Sequence, residues 1–289
     1  VCQKPVCPIL PSIINVKEDV SHFFLLFNVN FPDEVLLGGA LTKVMNTPQP
    51  AFDEIYLEGI DVDKIREILE NSDSGYQPPA VIHGLLDAAG IPRVREIIAR
   101  TEQDAVLAAL EIGFPVVMKV VGPIHKTDIG GVVLNVRNAT EVRKEFHHLM
   151  ALKGVKEVLV AQMASGNELF LGANYEPKFG HIVLCGRGGI YVEVLKDVAS
   201  GLAPLSHDEA GRMIRQLKSY EILKGYRRQK GANILKFTDI LVRLSSLLRF
   251  ATEIKEMDIN PLLGNEKEIL AVDARIKIEH SQSNQLAGK

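Results

Sequence analysis

Apolar and polar residues along this chain follow two periods that replace one another repeatedly. Helical spacing marks roughly 61–70, where Ile65, Ile68 and Leu69 share a face behind Asp61 as a candidate N-cap. It returns in "AVIHGLLDAAGIP", closed by Gly90 with Pro92 beyond, and in "TEQDAVLAALEIGFP", with Thr101 as N-cap and Gly113 as stop. Further helices are predicted at 139–152, opened by Asn138 and Glu141 in capping-box spacing, at 207–217, opened by Ser206 and Glu209, and at 237–250. Strand patterns occupy 115–121, 132–136, 157–162, 168–174, 180–185, 190–195, 253–259 and 268–273. The alternation predicts an α/β chain.

The first residues do not share this texture. "KPVCPILPSIINVKEDV" and "NFPDEVLLGGALTKVMNTP" are irregular and proline-punctuated, and the polar break "NSDSGYQPP" at 71–79 is the best domain boundary. The 289 residues, 46% hydrophobic, have room for more than one domain. A net charge of −3 gives no bulk attraction to nucleic acid or to an anionic membrane, so any affinity for an anion is local. Cys2, Cys7 and Cys185 make neither a disulfide framework nor a zinc cluster. With no signal peptide and no apolar run of about 18 residues, a soluble cytoplasmic protein is expected.

Candidate chemistry lies where charges interrupt apolar strands. In "PVVMKVV", Val117, Lys119 and Val121 share one face, so Lys119 is a cation in an apolar strand and needs an anionic partner. The loop that follows, "IHKTDIGG", makes phosphate a fitting partner: Gly130 and Gly131 let successive amides converge on an anion, with Lys126 and Thr127 adding a charge and a hydroxyl. A second glycine turn, Arg187, Gly188 and Gly189, leads into a strand carrying Glu193. Arginine and glutamate so placed suit a site for phosphate and metal. "EIKEMDINPLL" puts Glu256, Asp258 and Asn260 on one face, and "ILAVDARI" delivers Asp273 to the next strand end. An amide oxygen and a carboxylate there are hard ligands of the kind Mg²⁺ takes. Taken singly, each residue also fits a turn or a solvated strand.

Taken together, "GFPVVMKV", "HKTDIGGV", "VLVAQM", "NELFLGA", "EPKFGHIVLCGRGGIYVEVLKDVASGLAPL", "EMDINPLL" and "AVDARI" in this order resemble the ATP-grasp part of nucleoside-diphosphate-forming acyl-CoA synthetases. That family includes ADP-forming acetate–CoA ligase and is related to the beta subunit of succinyl-CoA synthetase. The resemblance covers roughly residues 76–279. It implies an α+β, two-lobed ATP-grasp fold at 79–289, a linker with a short helix at 51–78, and at 1–50 the tail of a flavodoxin-like CoA-ligase domain. The chain is thus expected to be the C-terminal piece of a longer protein.

The resemblance also implies roles. Lys119 would contact nucleotide phosphates and the 125–131 loop would cover them. Ala161, Gln162 and Met163 would read adenine through their backbone, with Glu168 in the nucleotide pocket. Asn260 and Asp273 would hold Mg²⁺, with Glu193 and Glu256 nearby. His125 would carry a phosphoryl group between a first histidine, in the CoA-ligase part, and ADP. The expected partners are ATP or ADP and alpha-type CoA-binding domains, in the same chain or in a partner subunit, within an oligomer. Departures from the usual pattern stand at Ala161, Gln162, Glu176, Arg187 and Arg228. His147 and His148 read as solvated, and His83, His181 and His207 have no partner pattern. Two other functions compete: a stand-alone carboxylate ligase of ATP-grasp type, and a non-catalytic nucleotide-sensing module of a larger acyltransferase-like protein.

Overall fold

A computed structural model describes residues 9, 17–25, 31–47, 59–121, 130–189, 196–227 and 229–280. His125, Lys126, Thr127, Glu193 and the predicted strand at 190–195 lie outside the described residues. The chain divides into two units, Val1–Phe52 and Asp53–Lys289. In the first, helices α1 (Lys17–Leu25) and α2 (Glu34–Asn46) follow one another, and Asp33 caps α2 by accepting from the Leu36 amide. No residue of α2 is buried.

The second unit begins with α3 (Val62–Glu70), β1 (Gly75–Tyr76), α4 (Pro79–Ala88), β2 (Glu96–Ala99), α5 (Glu102–Ile112), β3 (Val116–Val120), β4 (Val132–Val136), α6 (Ala139–Met150) and β5 (Val158–Gln162). It continues with β6 (Asn167–Glu176), β7 (Gly180–Arg187), β8 (Val198–Leu202), α7 (His207–Gln216), α8 (Tyr220–Leu223), β9 (Gly225–Tyr226) and β10 (Gln229–Lys230). Helix α9 (Ile234–Phe250) and strands β11 (Ile254–Gly264), β12 (Ile269–Ala271) and β13 (Ala274–Ile278) complete it. These strands pair antiparallel, so the α/β alternation of the sequence builds an α+β fold.

Two main sheets and two cores result, beside a two-stranded β9-β10 pair. A smaller sheet, ordered β2-β5-β3-β4, packs Val116, Met118 and Val120 against Ala105 and Ala109 of α5 and against Val142, Phe146 and Leu149 of α6. A larger sheet, ordered β1-β13-β11-β6-β7-β8 with β12 attached to β11, buries Leu169, Leu171, Met257, Ile259 and Ile276. Helices α3, α4, α7 and α9 supply the rest of that core through Ile65, Leu69, Leu85, Ile214, Phe237 and Leu241. Alternation between a helix-covered and a more open face is plain in β7 and β11, whereas β5 and β12 are buried through most of their length. The short helix expected within the linker, α3, thus has Ile65 and Leu69 in the larger core.

The caps follow the sequence closely. Thr101 with Asp104, and Ser206 with Glu209, form reciprocal capping boxes. Asn138 accepts from the Glu141 amide, but the Glu141 carboxylate reaches one residue further back, to the Arg137 amide at 2.8 Å. Six strands were not anticipated. β1, β9 and β10 have two residues each and β2, β8 and β13 four or five, too few for a period-2 pattern to separate from a loop.

Candidate functional site

The face of the smaller sheet opposite its helices carries the isolated cation. Val116, Met118 and Val120 fill the core, which leaves Val117 and Lys119 on the other side of β3. Lys119 pairs in register with Val132, and the Val120 amide donates to the Gly131 carbonyl at 2.9 Å. The chain between β3 and β4 therefore returns immediately beyond this lysine. Gly130 holds φ at +68°, a conformation that L side chains rarely adopt.

The anion beside Lys119 is a carboxylate that the sequence reading missed. Lys119 Nζ donates to Glu96 Oε1 at 3.3 Å and to the Val272 carbonyl at 3.1 Å. His83 Nε2 lies 3.1 Å from Glu96 Oε2. The Glu96 side chain is only 6% exposed. Burial pushes its carboxyl up, yet the His83 hydrogen bond and the Lys119 charge outweigh burial and hold it below its ordinary value. Glu96 was detectable only as an acid inside the apolar stretch "VREIIA".

Val272 lies in the connection between β12 and β13 of the larger sheet, next to the candidate metal ligand Asp273. The Asn260 amide donates to the Asp273 carbonyl at 3.1 Å, so these two residues face each other across β11 and the start of β13. The alternation of β11 shifts where Pro261 interrupts its pairing with β6: Met257 and Ile259 are buried before the interruption, Leu262 and Gly264 after it. Asn260 consequently stands exposed at the strand's break. Half-buried Asp258 lies on the same face, its carboxyl pushed up first by burial and then by the charges of Asp273 and Glu256, against the opposing pull of Arg275. Glu256 is set apart. It accepts from the Tyr76 hydroxyl at 3.1 Å and, four residues from Asn260, lies about 13 Å along the strand at the usual rise. Among the described residues no three His, Cys, Asp or Glu side chains form a metal cluster.

The second glycine turn lies against β6. The Gly188 amide donates to the Glu168 carbonyl at 2.9 Å, and a Cβ on Gly189 would come 2.6 Å from Glu168 Oε2. Gly188, Gly189 and Glu168 are thus brought together, with Arg187 opposite Leu169 at the end of β7. Phe170 lies across Gly172 and Gly186, where side chains would stand 3.1 and 3.4 Å from its ring. Ala161 is in the middle of a ladder, with Glu96 on one side and Val117 on the other, so its backbone groups serve the sheet. Gln162 closes the ladder through its amide to the Arg95 carbonyl, 2.8 Å, and Met163 follows the strand end.

Asp197 anchors the segment leaving the turn. Its carboxylate accepts from the Lys218 amide at 2.7 Å and the Ser219 amide at 2.8 Å. Burial pushes this carboxyl up, but the Ser219 and Lys218 hydrogen bonds prevail and hold it below its ordinary value. Asp197→Ala leaves two amides without their acceptor and is expected to cost about 1–3 kcal/mol in urea denaturation. The carboxyl is depressed in the fold, so its contribution is complete above the unfolded value of 3.8 and is lost as pH falls through the lower folded value. A variant as stable as wild type at pH 7 would refute this anchor.

The histidines without a partner pattern do find partners. His83 meets Glu96, His181 is buried with Nε2 at 2.7 Å from the Ile254 carbonyl, and His207 lies 3.6 Å from Asp239. Each partner comes from a distant segment, which spacing cannot show. His147 and His148 are exposed, as expected, and pair with Glu102 and Glu145. Burial raises the Cys185 thiol to about 12, which makes it an inert core residue.

Comparison with known proteins follows this geometry. Residues 71–278 match the ATP-grasp domain family. The chain is 40% identical over 229 residues to the beta subunit of ADP-forming acetate–CoA ligase I of Pyrococcus furiosus, spanning 74% of this chain and 98% of that subunit. It is 42% identical over 197 residues to ADP-forming acetate–CoA ligase II of Archaeoglobus fulgidus, spanning 67% of this chain but only 29% of that longer protein. Acetyl-coenzyme A synthetase 1 of Ca. Korarchaeum cryptofilum has been solved with coenzyme A and Mg-AMPPCP, its phosphohistidine segment pointing towards the nucleotide-binding site. A chain of it superposes with a TM-score of 0.65 at 36% identity, over 76% of this chain and all of that one.

Proposed function

Because this chain belongs to the ATP-grasp domain family, and within it to the relatives of the acetate–CoA ligase beta subunit, we propose that it is the nucleotide-binding, phosphoryl-transferring part of an ADP-forming acyl-CoA synthetase. The whole enzyme would interconvert acyl-CoA, ADP and phosphate with a carboxylate, CoA and ATP. The chain spans less than a third of its single-chain relative, so CoA and acid would bind on alpha-type CoA-ligase domains, in the same polypeptide or a partner subunit. The observation that carries this reading is the Lys119–Val272 hydrogen bond. It sets the one cation of β3 beside the strand ends of Asn260 and Asp273, where nucleotide phosphates and a divalent cation need opposite charges side by side.

Each residue has a task in this scheme. Lys119 and the amides around Gly130, Gly131 and Gly189 hold phosphate oxygens, with Gly188 tying the turn to Glu168 and Lys126, Thr127 and Arg187 adding donors. The strand end at Gln162 and Met163 offers backbone groups to the adenine edge, and Glu168 lies beside the glycine turn. Asn260 and Asp273 fit Mg²⁺ by donor chemistry, since both present oxygen. Glu256 stands in reserve as a more distant carboxylate, and Glu193 is a further carboxylate for the same ion. Mg²⁺ bound there supplies charge neutralisation to the phosphates. In the ATP-forming direction a neutral ring nitrogen of His125 attacks phosphorus: an N–P bond forms as the P–N bond to the upstream histidine breaks, and the new N–P bond breaks in turn when a terminal phosphate oxygen of ADP takes the phosphoryl group.

Calorimetric titration of this chain with ADP and Mg²⁺ tests the site. Lys119→Ala is expected to weaken binding at least about tenfold, the scale of one charged hydrogen bond. GDP should bind at least about tenfold more weakly than ADP, because a mismatched base edge leaves buried backbone groups unpaired. Equal affinity of wild type and Lys119→Ala, or of ADP and GDP, would refute the corresponding contact.

A further inference from the structure

Lys119 does not wait in the site as a loose side chain. Its ammonium has two of its three donors engaged, one by Glu96 of the smaller sheet and one by the Val272 carbonyl of the larger. Strand β5 lies between β2 and β3, so Glu96 has to reach across it. The residue it crosses, in register with both Glu96 and Val117, is Ala161, whose methyl group leaves the way open. The other oxygen of Glu96 faces His83 on α4.

We propose that Glu96, supported by His83, is a positioning residue that holds Lys119 extended between the two sheets with one donor left for a nucleotide phosphate. The inference rests on Lys119 being the phosphate-binding lysine. A lysine on a flexible four-carbon stem loses much rotamer freedom when it binds an anion, and a carboxylate that has already ordered it removes most of that cost. Glu96 also lets a nearly buried ammonium exist next to a carbonyl, which would be costly without a counter-charge. Sharing its second oxygen with His83 keeps Glu96 in place when the phosphate arrives, so the carboxylate supports the lysine's binding of phosphate.

Binding of ADP and of adenosine to wild type, Glu96→Gln, Lys119→Ala and the double variant separates positioning from general structure. Glu96→Gln should weaken ADP about tenfold, as loss of one ordered charged contact does, while adenosine, which has no phosphate, changes less than about twofold. In the Lys119→Ala background the Glu96 substitution should have no further effect on ADP. Glu96→Asp, which keeps the charge on a shorter arm, should fall between wild type and Glu96→Gln, and it carries the test if the glutamine variant does not fold. Unchanged or tighter ADP binding by Glu96→Gln, with Lys119→Ala still weak, would overturn the positioning role and leave the phosphate-binding lysine standing. Equal losses for ADP and adenosine would show a merely structural carboxylate. A Lys119→Ala variant that binds ADP normally would overturn the reading of Lys119 and the inference with it.

Discussion

His125→Ala, in the enzyme assembled with its CoA-ligase domains, is expected to lose ATP formation from acyl-CoA, ADP and phosphate by more than about a thousandfold, the usual scale for removing a covalent carrier. Labelled ATP with Mg²⁺ should leave on the wild-type protein a phosphoryl group that is acid-labile and survives alkali. The variant should show no such label at either histidine, because the upstream one is reached from ATP only through His125. Labelling from acyl-CoA and phosphate should persist on the upstream domain, since that step precedes His125. ADP affinity should change little, because the holding of the nucleotide is proposed to fall to Lys119 and the glycine amides and only the transfer to His125. Near-normal ATP formation by His125→Ala would show direct transfer from the upstream histidine to ADP, and the loop would then be only a phosphate cover.

Asp273→Ala should have the next largest effect, and it is read without turnover. ADP should bind wild type at least about a hundredfold more tightly with Mg²⁺ than with EDTA, and Asp273→Ala should remove most of that difference, since a carboxylate is the strongest ligand the donor set offers. Asn260→Ala should remove part of it, the amide oxygen being the weaker donor. Glu256→Ala should leave it nearly unchanged, because Glu256 is engaged by Tyr76 and stands well along β11 from Asn260. A full Mg²⁺ dependence in Asp273→Ala would place the cation elsewhere, and a lost one in Glu256→Ala would show that the carboxylate swings away from Tyr76 when nucleotide binds.

Much of the site was legible because it is marked by local contrast. Lys119 stood out as a charge in an apolar strand, and the glycine pairs as backbone freedom beside charged side chains. Asn260 ahead of Pro261 announced a broken ladder, and the structure places the interruption of β11 there. The caps at Asp61, Thr101 and Ser206 were legible for the same reason, since each hydrogen bond closes within three residues. Strand β2 was not legible. Four residues between a proline-bearing turn and a helix cap carry too little periodicity.

The sequence by itself determined the order of the longer helices and strands after residue 60, the alternation of buried and open faces along several of them, and the family motifs, because these depend on neighbours a few positions apart. Only the tertiary structure decided which charges meet. Glu96 lies 23 positions from Lys119, and Val272 lies 153 positions from it. Glu168 meets Gly189 through the β6–β7 pairing. Asn260 meets Asp273 across β11 and the start of β13. Strand register sets those encounters, and register is chosen by the burial of whole sheet faces, a property of the packed chain that no short stretch of sequence contains.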